Sequence, residues 1–335
     1  MFEIDKKKLH PNGVVEKQYS QMAHDLMEFW DDSNSDGLSP EKVEDVSCSL
    51  CNASPPPIEK AIFKKFRFPY FCCPECSLVY PSPRPNLIEI ENQYESGRFA
   101  SSFHDLYLPS AEYRMSTIFR ERVEDIIIPR VSSGRILDVG CSSGHFLKVA
   151  HNRGFEVFGI EPNPEMVNFA TEELRLPNVQ AGYLGSDSII FLDEFFDAVT
   201  LWDVLEHVPQ PQTLLSEIKR ILKPNGWLFG YTENFESFNV FITGSDSEMI
   251  CPDVHLRHYT PNTFKREFEQ AGFQVREVLT KGLDIQHIET TVKLNPQKYT
   301  LEVLYPMFEN SEKWQNIINS CGKGDNLRIY CQKRM

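Results

Sequence analysis

Two pairs of cysteines, two carboxylates at strand ends and a run of histidines are the residues whose types and spacing could do chemistry. Cys48-x-x-Cys51 and Cys73-x-x-Cys76 form two short knuckles separated by 21 intervening residues, close to the C-x2-C…C-x2-C spacing of a four-thiolate zinc site. Each knuckle would turn two thiolates toward one tetrahedral ion. With four positions filled none is open, so such a zinc is structural. Cys72 is a substitute for Cys73 that fits the knuckle less well, and cysteines without metal are the plain alternative. Farther along, Arg135–Phe146 reads RILDVGCSSGHF. An apolar burst carrying Asp138 runs into Gly140-Cys141-Ser142-Ser143-Gly144, and His145-Phe146-Leu147 opens a helical pattern, which together predict strand, glycine turn and helix. Such a turn lets backbone N–H groups approach a ligand, and the helix start adds unpaired donors. A nucleotide-like cofactor is the expected guest. Glu161 follows Asp138 by 23 positions, where an α/β domain places the acid that receives both ribose hydroxyls. A carboxylate suits that task because it accepts hydrogen bonds and donates none.

Asp138 narrows the choice of cofactor. Counted from Gly140, the second and third glycines of G-x-G-x-x-G are Ser142 and His145, so the dinucleotide fingerprint is absent. A carboxylate at the strand end would also repel a phosphate, whereas it suits a ligand bringing an ammonium and a sulfonium. Here the chain resembles class I S-adenosylmethionine-dependent methyltransferases, whose first motif is D-x-G-x-G-x-G. DVGCSSG departs from it only by Ser142 for the middle glycine. The family's L-W-D-V-L-E-H-V motif is matched at every position by Leu201–Val208.

The resemblance implies that Gly140, Cys141, Ser142, Gly144 and Phe146 border S-adenosylmethionine beside Asp138. It implies the same for Glu161, Pro162 and Asn163 after the second strand. Trp202 and Asp203 would lie beside the methionine part and His207 near the methyl-transfer site. Tyr183 stands where many relatives carry an acid for the adenine amino group, so Tyr183 and Leu184 are expected to hold adenine by stacking or backbone donors. Relatives carry a histidine before an aromatic-Thr/Ser-Pro turn, which makes His255 and His258 of HLRHYTP candidates for substrate contact or proton abstraction. Imidazole titrates near neutrality and suits that role. Capping and turn roles are the structural alternatives for all three histidines.

A bacterial group of methyltransferases with an N-terminal zinc ribbon is similar at Cys73-Pro74-Glu75-Cys76, Leu78-Val79 and Pro83-Arg84-Pro85, with Ser77 in place of a usual glycine. This resemblance implies a helical lid at Asn86–Tyr94 and Ala111–Arg130, with Tyr94 packed there or touching ligand. It also implies acceptors methylated on oxygen or carbon, among sugar nucleotides, glycans and secondary-metabolite scaffolds.

These residues need a framework, and the βα alternation predicts one. Strands are expected at Phe155–Ile160, Asn178–Gly182, Phe196–Trp202, Trp227–Tyr231, Phe273–Thr280 and in a final segment closing at Cys331. Helices are expected at His145–Arg153, Pro211–Leu222 and Thr260–Gly272, with an apolar helical stretch at Val303–Ile318. Lys223–Gly226 reads as a turn, and Phe235–Asp253 as a functional loop. The implied fold class is α/β: a doubly wound, seven-stranded, mostly parallel sheet of the Rossmann-like methyltransferase type, preceded by a small zinc ribbon and a helical lid. The last two strands would form an antiparallel hairpin. The expected division is an N-terminal helix (Val14–Trp30) and linker over 1–45, the ribbon over 46–85, the lid over 86–130 and the methyltransferase domain over 131–335.

Composition bounds the rest. A chain of 335 residues, 41% hydrophobic, can bury a large core, and its net charge of −14 argues against a strong nonspecific grip on nucleic acid or anionic lipid. MFEIDKKKLH lacks the apolar core of a signal peptide and no run is long enough to span a membrane, so a reducing cytoplasm is the expected home of the nine cysteines. Between the cysteine pairs, Phe63, Phe66, Phe68 and Tyr70 with Lys64, Lys65 and Arg67 suggest a hairpin covering a small core. Its alternative is an RNA-contacting ribbon, which would make the chain an RNA methyltransferase. A cofactor-binding scaffold without catalysis is the third reading. A small-molecule acceptor is the expected partner, and oligomeric state is not set by these patterns.

Overall fold

The computed structural model describes residues 38–95, 103–186 and 189–334, so the helix expected at Val14–Trp30 lies outside the described residues. The ribbon region holds five short strands: β1 (Val43–Glu44), β2 (Phe63–Lys65), β3 (Phe68–Cys72), β4 (Val79–Pro81) and β5 (Arg84–Pro85). The basic, aromatic stretch is a hairpin, with Phe63 opposite Tyr70, and β4 joins it on the far side of β3. Phe68 and Tyr70 are buried in a small cluster with Val79 and Ile250. Residues 38–45, expected as an exposed connector, instead pair β1 with β5, and Arg84 Nη2 donates to Glu44 Oε1 at 3.0 Å.

Seven further strands form one sheet: β6 (Arg135–Val139), β7 (Glu156–Glu161), β8 (Val179–Ala181), β9 (Phe196–Trp202), β10 (Leu222–Glu233), β11 (Phe273–Thr280) and β12 (Asn326–Lys333). Their order is β11-β12-β10-β9-β6-β7-β8. The five strands from β10 to β8 pair in parallel, whereas β12 runs antiparallel to both β10 and β11. This is the seven-stranded, mostly parallel sheet with a terminal hairpin that the sequence implied. Central strands read as apolar runs because both faces are covered, and Ile136, Leu137, Ala198 and Val199 are fully buried. Strand order reverses between β6 and β9, which opens a crevice at their C-terminal ends.

Several local differences have plain causes. Lys223–Gly226 does not end a helix and begin a separate strand. The pairing of β10 with β9 skips from Leu222 to Trp227, with Asn225 at φ 62°, so the turn is absorbed as a bulge. Phe235–Asp253 is not a bare loop: it contains helix Phe238–Thr243, whose N-cap Ser237 accepts from Val240 N–H at 3.1 Å. The stretch at Val303–Ile318 is two helices, Leu301–Glu309 and Ser311–Ser320. Helix Asp284–Leu294 was not expected, although Ile285, Ile288 and Val292 recur at helical spacing and are all buried. The segment expected as a lid holds helix Leu87–Glu95 and a helical run from Phe103 to Ile127, in which wide π-type turns flank the α-helical Leu108–Arg114. Among the described residues no helix is long and apolar enough to cross a membrane.

Gly159 in β7 lies directly beneath the glycine turn, where an added Cβ would come within 2.6 Å of Cys141 Sγ and 2.8 Å of Leu147 Cδ1. Gly159→Ala is therefore expected to lower stability by about 1–3 kcal/mol, read as the midpoint of chemical denaturation. An unchanged midpoint would show that the turn yields without cost.

Candidate active site

The C-terminal ends of the parallel strands open into a cleft of about 910 Å³. Asp138, at the end of β6, is 2% exposed and accepts from Thr200 Oγ1 at 2.6 Å. Burial pushes its carboxyl up to about 8, against the Thr200 hydrogen bond. The turn that follows places Gly140, Ser142 and Gly144 at φ 71°, 48° and 77°. All three motif glycine positions thus need left-handed backbone, and Ser142 adopts it at a steric cost that glycine would not incur. At Gly140 a Cβ would also meet Val204 Cγ2 at 2.8 Å.

Glu161 closes β7. Its Oε2 accepts from Ser142 N–H at 2.9 Å and its Oε1 from Asn163 N–H at 3.0 Å. Burial raises it to about 6 despite those amides. Each oxygen retains acceptor capacity for a hydroxyl in the cleft. Asp138, Gly140, Cys141, Ser142, Phe146, Glu161, Pro162, Tyr183, Leu184, Trp202 and Asp203 all border the cleft. Gly144 and Asn163 do not border it. Gly144 is the N-cap residue of helix His145–Asn152. The Asn163 side chain caps helix Pro164–Asn168, accepting from Glu165 N–H at 2.9 Å and Met166 N–H at 3.2 Å.

The same cleft is bordered by His207, His255, Glu206 and Glu233. His207, in the turn after β9, has Nδ1 2.9 Å from Val254 O, which fixes Nδ1–H as donor. Burial and the charge of His255 push it down to about 3, so the ring is neutral. His255 Nδ1 lies 2.8 Å from Met249 O and 3.0 Å from Glu233 Oε2. Burial works against its charge, but Glu233 outweighs it and lifts His255 to about 9, so it carries a proton at neutral pH. His258 does not border the cleft. Its N–H donates to Val79 O at 2.7 Å, and its ring packs against Tyr70 and Phe235, 5.5 and 5.7 Å between centroids. Burial holds it well below the usual histidine range.

Sequence reasoning missed other residues of the cleft. Glu206, inside the matched motif, is buried, neither carboxylate oxygen has a hydrogen-bond partner, and burial pushes it up to about 8. Arg114, Arg122, Lys281, His287 and Arg328 also border the cleft. No local signal marks them, because lid packing and cross-strand register bring them there. Two donor sets come within 4.8 Å: Glu206 with His207 and His255, and Glu233 with His255 and His258.

The four cysteines gather at one point. Cys48 Sγ lies 3.4 Å from Cys76 Sγ and Cys51 Sγ 3.4 Å from Cys73 Sγ. The two knuckles repeat one another. Asn52 N–H donates to Cys48 O and Ser77 N–H to Cys73 O, each at 2.8 Å, and both following residues are left-handed, φ 60° and 65°. Backbone amides at Leu50 and Cys51 face Cys48 sulfur, and those of Glu75 and Cys76 face Cys73 sulfur. Such donors favour thiolates, and four convergent sulfurs fit a tetrahedral cation. Cys72 is exposed and points to Ser77 O, outside the cluster. In the adjoining hairpin, Lys65 turns inward, donating to Ser247 O at 2.5 Å, and burial lowers it to about 8.

Comparison with known proteins bears on the whole arrangement. A family model described as a methyltransferase domain matches residues 111–278. The ubiquinone biosynthesis O-methyltransferase of Burkholderia pseudomallei strain 1710b is 25% identical over 201 residues, covering 57% of this chain and 86% of its own. That of Aeromonas salmonicida strain A449 is 27% identical over 184 residues, covering 51% of this chain and 76% of its own. A solved S-adenosylmethionine-dependent methyltransferase from Archaeoglobus fulgidus is 23% identical, with a TM-score of 0.46, and covers 70% of this chain and 99% of its own. The span matched by the family model holds both strand-end acids and the two histidines that share their cleft, and the chain belongs to this family: it is a class I S-adenosylmethionine-dependent methyltransferase.

Proposed function

We propose that this chain methylates a hydroxyl oxygen, or a carbon acid, of a small molecule, and that a structural zinc held by Cys48, Cys51, Cys73 and Cys76 braces residues 46–85 beneath the site. The observation that carries this reading is that two buried strand-end acids, Asp138 and Glu161, share one cleft with His207 and His255. The O-methyltransferases named above support oxygen as the nucleophile. The resemblance of the ribbon region supports a sugar nucleotide, glycan or secondary-metabolite scaffold.

In this reading Asp138 takes the ammonium end of S-adenosylmethionine and Glu161 the ribose hydroxyls. Tyr183 and Leu184 cover adenine, and Trp202 and Asp203 border the methionine part. When bound, the cofactor supplies a methyl group already activated by a sulfonium. The protein must then align the nucleophile and exclude water, the task of residues 86–130 with Tyr94 and Phe119 facing the cleft. His255, protonated and pinned by Glu233 and Met249 O, donates to an acceptor oxygen. His207, neutral and with Nδ1–H engaged, receives the acceptor's proton at Nε2. A weak base suffices there, because an oxygen gaining a methyl becomes strongly acidic.

Tritiated methyl transfer to a panel of phenols, sugar nucleotides and RNA tests the acceptor class, and label in RNA alone would sink the small-molecule reading. On the accepted substrate, His207→Ala is expected to cost about 100-fold in turnover with adenosylhomocysteine affinity kept; full turnover would remove His207 as the base.

Asp138 sets a pH dependence. Its ionised form is the one that binds an ammonium, so affinity is full above pH 8 and falls as protons occupy the carboxyl below its free-protein value of about 8. Calorimetry with adenosylhomocysteine between pH 9 and 6 should lose up to about tenfold per pH unit, and Asp138→Asn should flatten the profile. A flat wild-type profile would take the ammonium away from Asp138.

For the ribbon, metal analysis of the purified chain is expected to find about one zinc per molecule. Cys73→Ser should lose it and Cys72→Ser should retain it. Equal metal content in both variants would disprove the assignment.

A further inference from the structure

Cations collect on the wing of the cleft beneath the lid, and register explains why. Tyr231 of β10 pairs with Trp202 of β9 on one side and with Arg328 of β12 on the other, so the three side chains form a row on one face of the sheet. From the lid, the Arg122 guanidinium lies 4.5 Å from the Trp202 ring and 4.9 Å from the Tyr231 ring, with Asp203 Oδ2 at 3.9 Å. Arg328 Nη1 reaches Glu121 Oε1 at 3.2 Å, and Lys281 Nζ pairs with that same oxygen. Arg328 Nε is buried with no partner, although the side chain is only 13% exposed. One carboxylate thus answers two cations, in a chain whose net charge is −14. Leaving the one buried Nε–H unpaired is costly, and an arriving oxyanion would remove that cost.

The cofactor brings a single carboxylate, at the methionine end. If that end lies beside Trp202 and Asp203, as the proposed function holds, Arg122 is the cation nearest to it. The Arg328–Lys281 pair then serves something else. Resting on that reading, we propose that Arg328 and Lys281 form an anion subsite for the methyl acceptor, which takes a phosphoryl or carboxylate group, with Glu121 as the resident counter-ion. Guanidinium presents a planar fork to such a group and the ammonium adds a point charge. The subsite shares the cleft with His255 and Glu233, so the acceptor is gripped at its anionic end by the cations and at its reacting hydroxyl by His207 and His255.

The test is calorimetry on the full chain saturated with adenosylhomocysteine, which fills the place of the cofactor's own carboxylate. Inorganic pyrophosphate and, separately, benzoate are titrated in. Binding of pyrophosphate alone assigns a phosphoryl group, and binding of benzoate alone a carboxylate. Arg328→Gln is expected to weaken the bound anion about tenfold or more, while Arg328→Lys, which keeps the charge but not the fork, recovers part of that loss. Glu121→Gln removes the internal competitor and is expected to tighten it about tenfold, an effect that a merely structural Glu121 would not produce. The subsite is overturned if neither anion binds the saturated protein, or if Arg328→Gln and Glu121→Gln bind like wild type. A chain that ignores adenosylhomocysteine would instead sink the cofactor assignment, and the anion titrations would then be read on the unliganded protein with the same variants.

Discussion

Two amide hydrogens on one carboxylate hold the glycine turn in shape. Glu161 receives the N–H of Ser142 from the turn after β6 and the N–H of Asn163 from the turn after its own strand. It therefore joins two separate βα units in the cleft, where the proposed function puts the ribose. The turn itself has little freedom left: left-handed backbone at Gly140, Ser142 and Gly144, close contact above Gly159 and Thr200 beneath Asp138 all fix it. Such prior ordering suits group transfer, where alignment does most of the work.

The other half of the cleft depends on long-range pairing. β10 runs past the end of β9 to Glu233, which carries that acid up to His255. The antiparallel strand β12 then places Arg328 beside Tyr231, and Arg122 packs over the Tyr231 and Trp202 rings. The cations of this half are partly answered from within, Arg122 by Asp203, and Arg328 and Lys281 together by Glu121.

What was legible in the sequence was whatever local chemistry demands. Glycine spacing betrays left-handed turns, paired cysteines betray knuckles, and the alternation of apolar strands with helices betrays an α/β sheet, whose seven strands and terminal hairpin the family resemblance implied. Glu161 could be placed because a strand end and a count of residues suffice. Arg122 and Arg328 could not, since each acquires its neighbours from a strand or helix remote in the chain. His258 stands nearer to the expected turn than His255, yet its backbone is bonded to Val79 and the residue does not border the cleft. Helix Asp284–Leu294 was overlooked because polar residues (Gln286, His287, Glu289, Thr290) separate its buried aliphatic positions, diluting the apolar stripe. Lys65 looked like part of a basic surface, but only the packed hairpin shows that it faces inward.

The ribbon looks detachable in sequence and is not so in three dimensions. Cys73, Leu78 and Tyr80 share one apolar cluster with Tyr259, Phe264 and Phe268 of the catalytic body, and Val79 bridges to His258, three residues beyond His255. Trimming the chain back to residue 86 would bare that aromatic face to water and unmoor the segment that aims His255. An evolutionary lineage carrying this ribbon could not discard it without first rebuilding its interior.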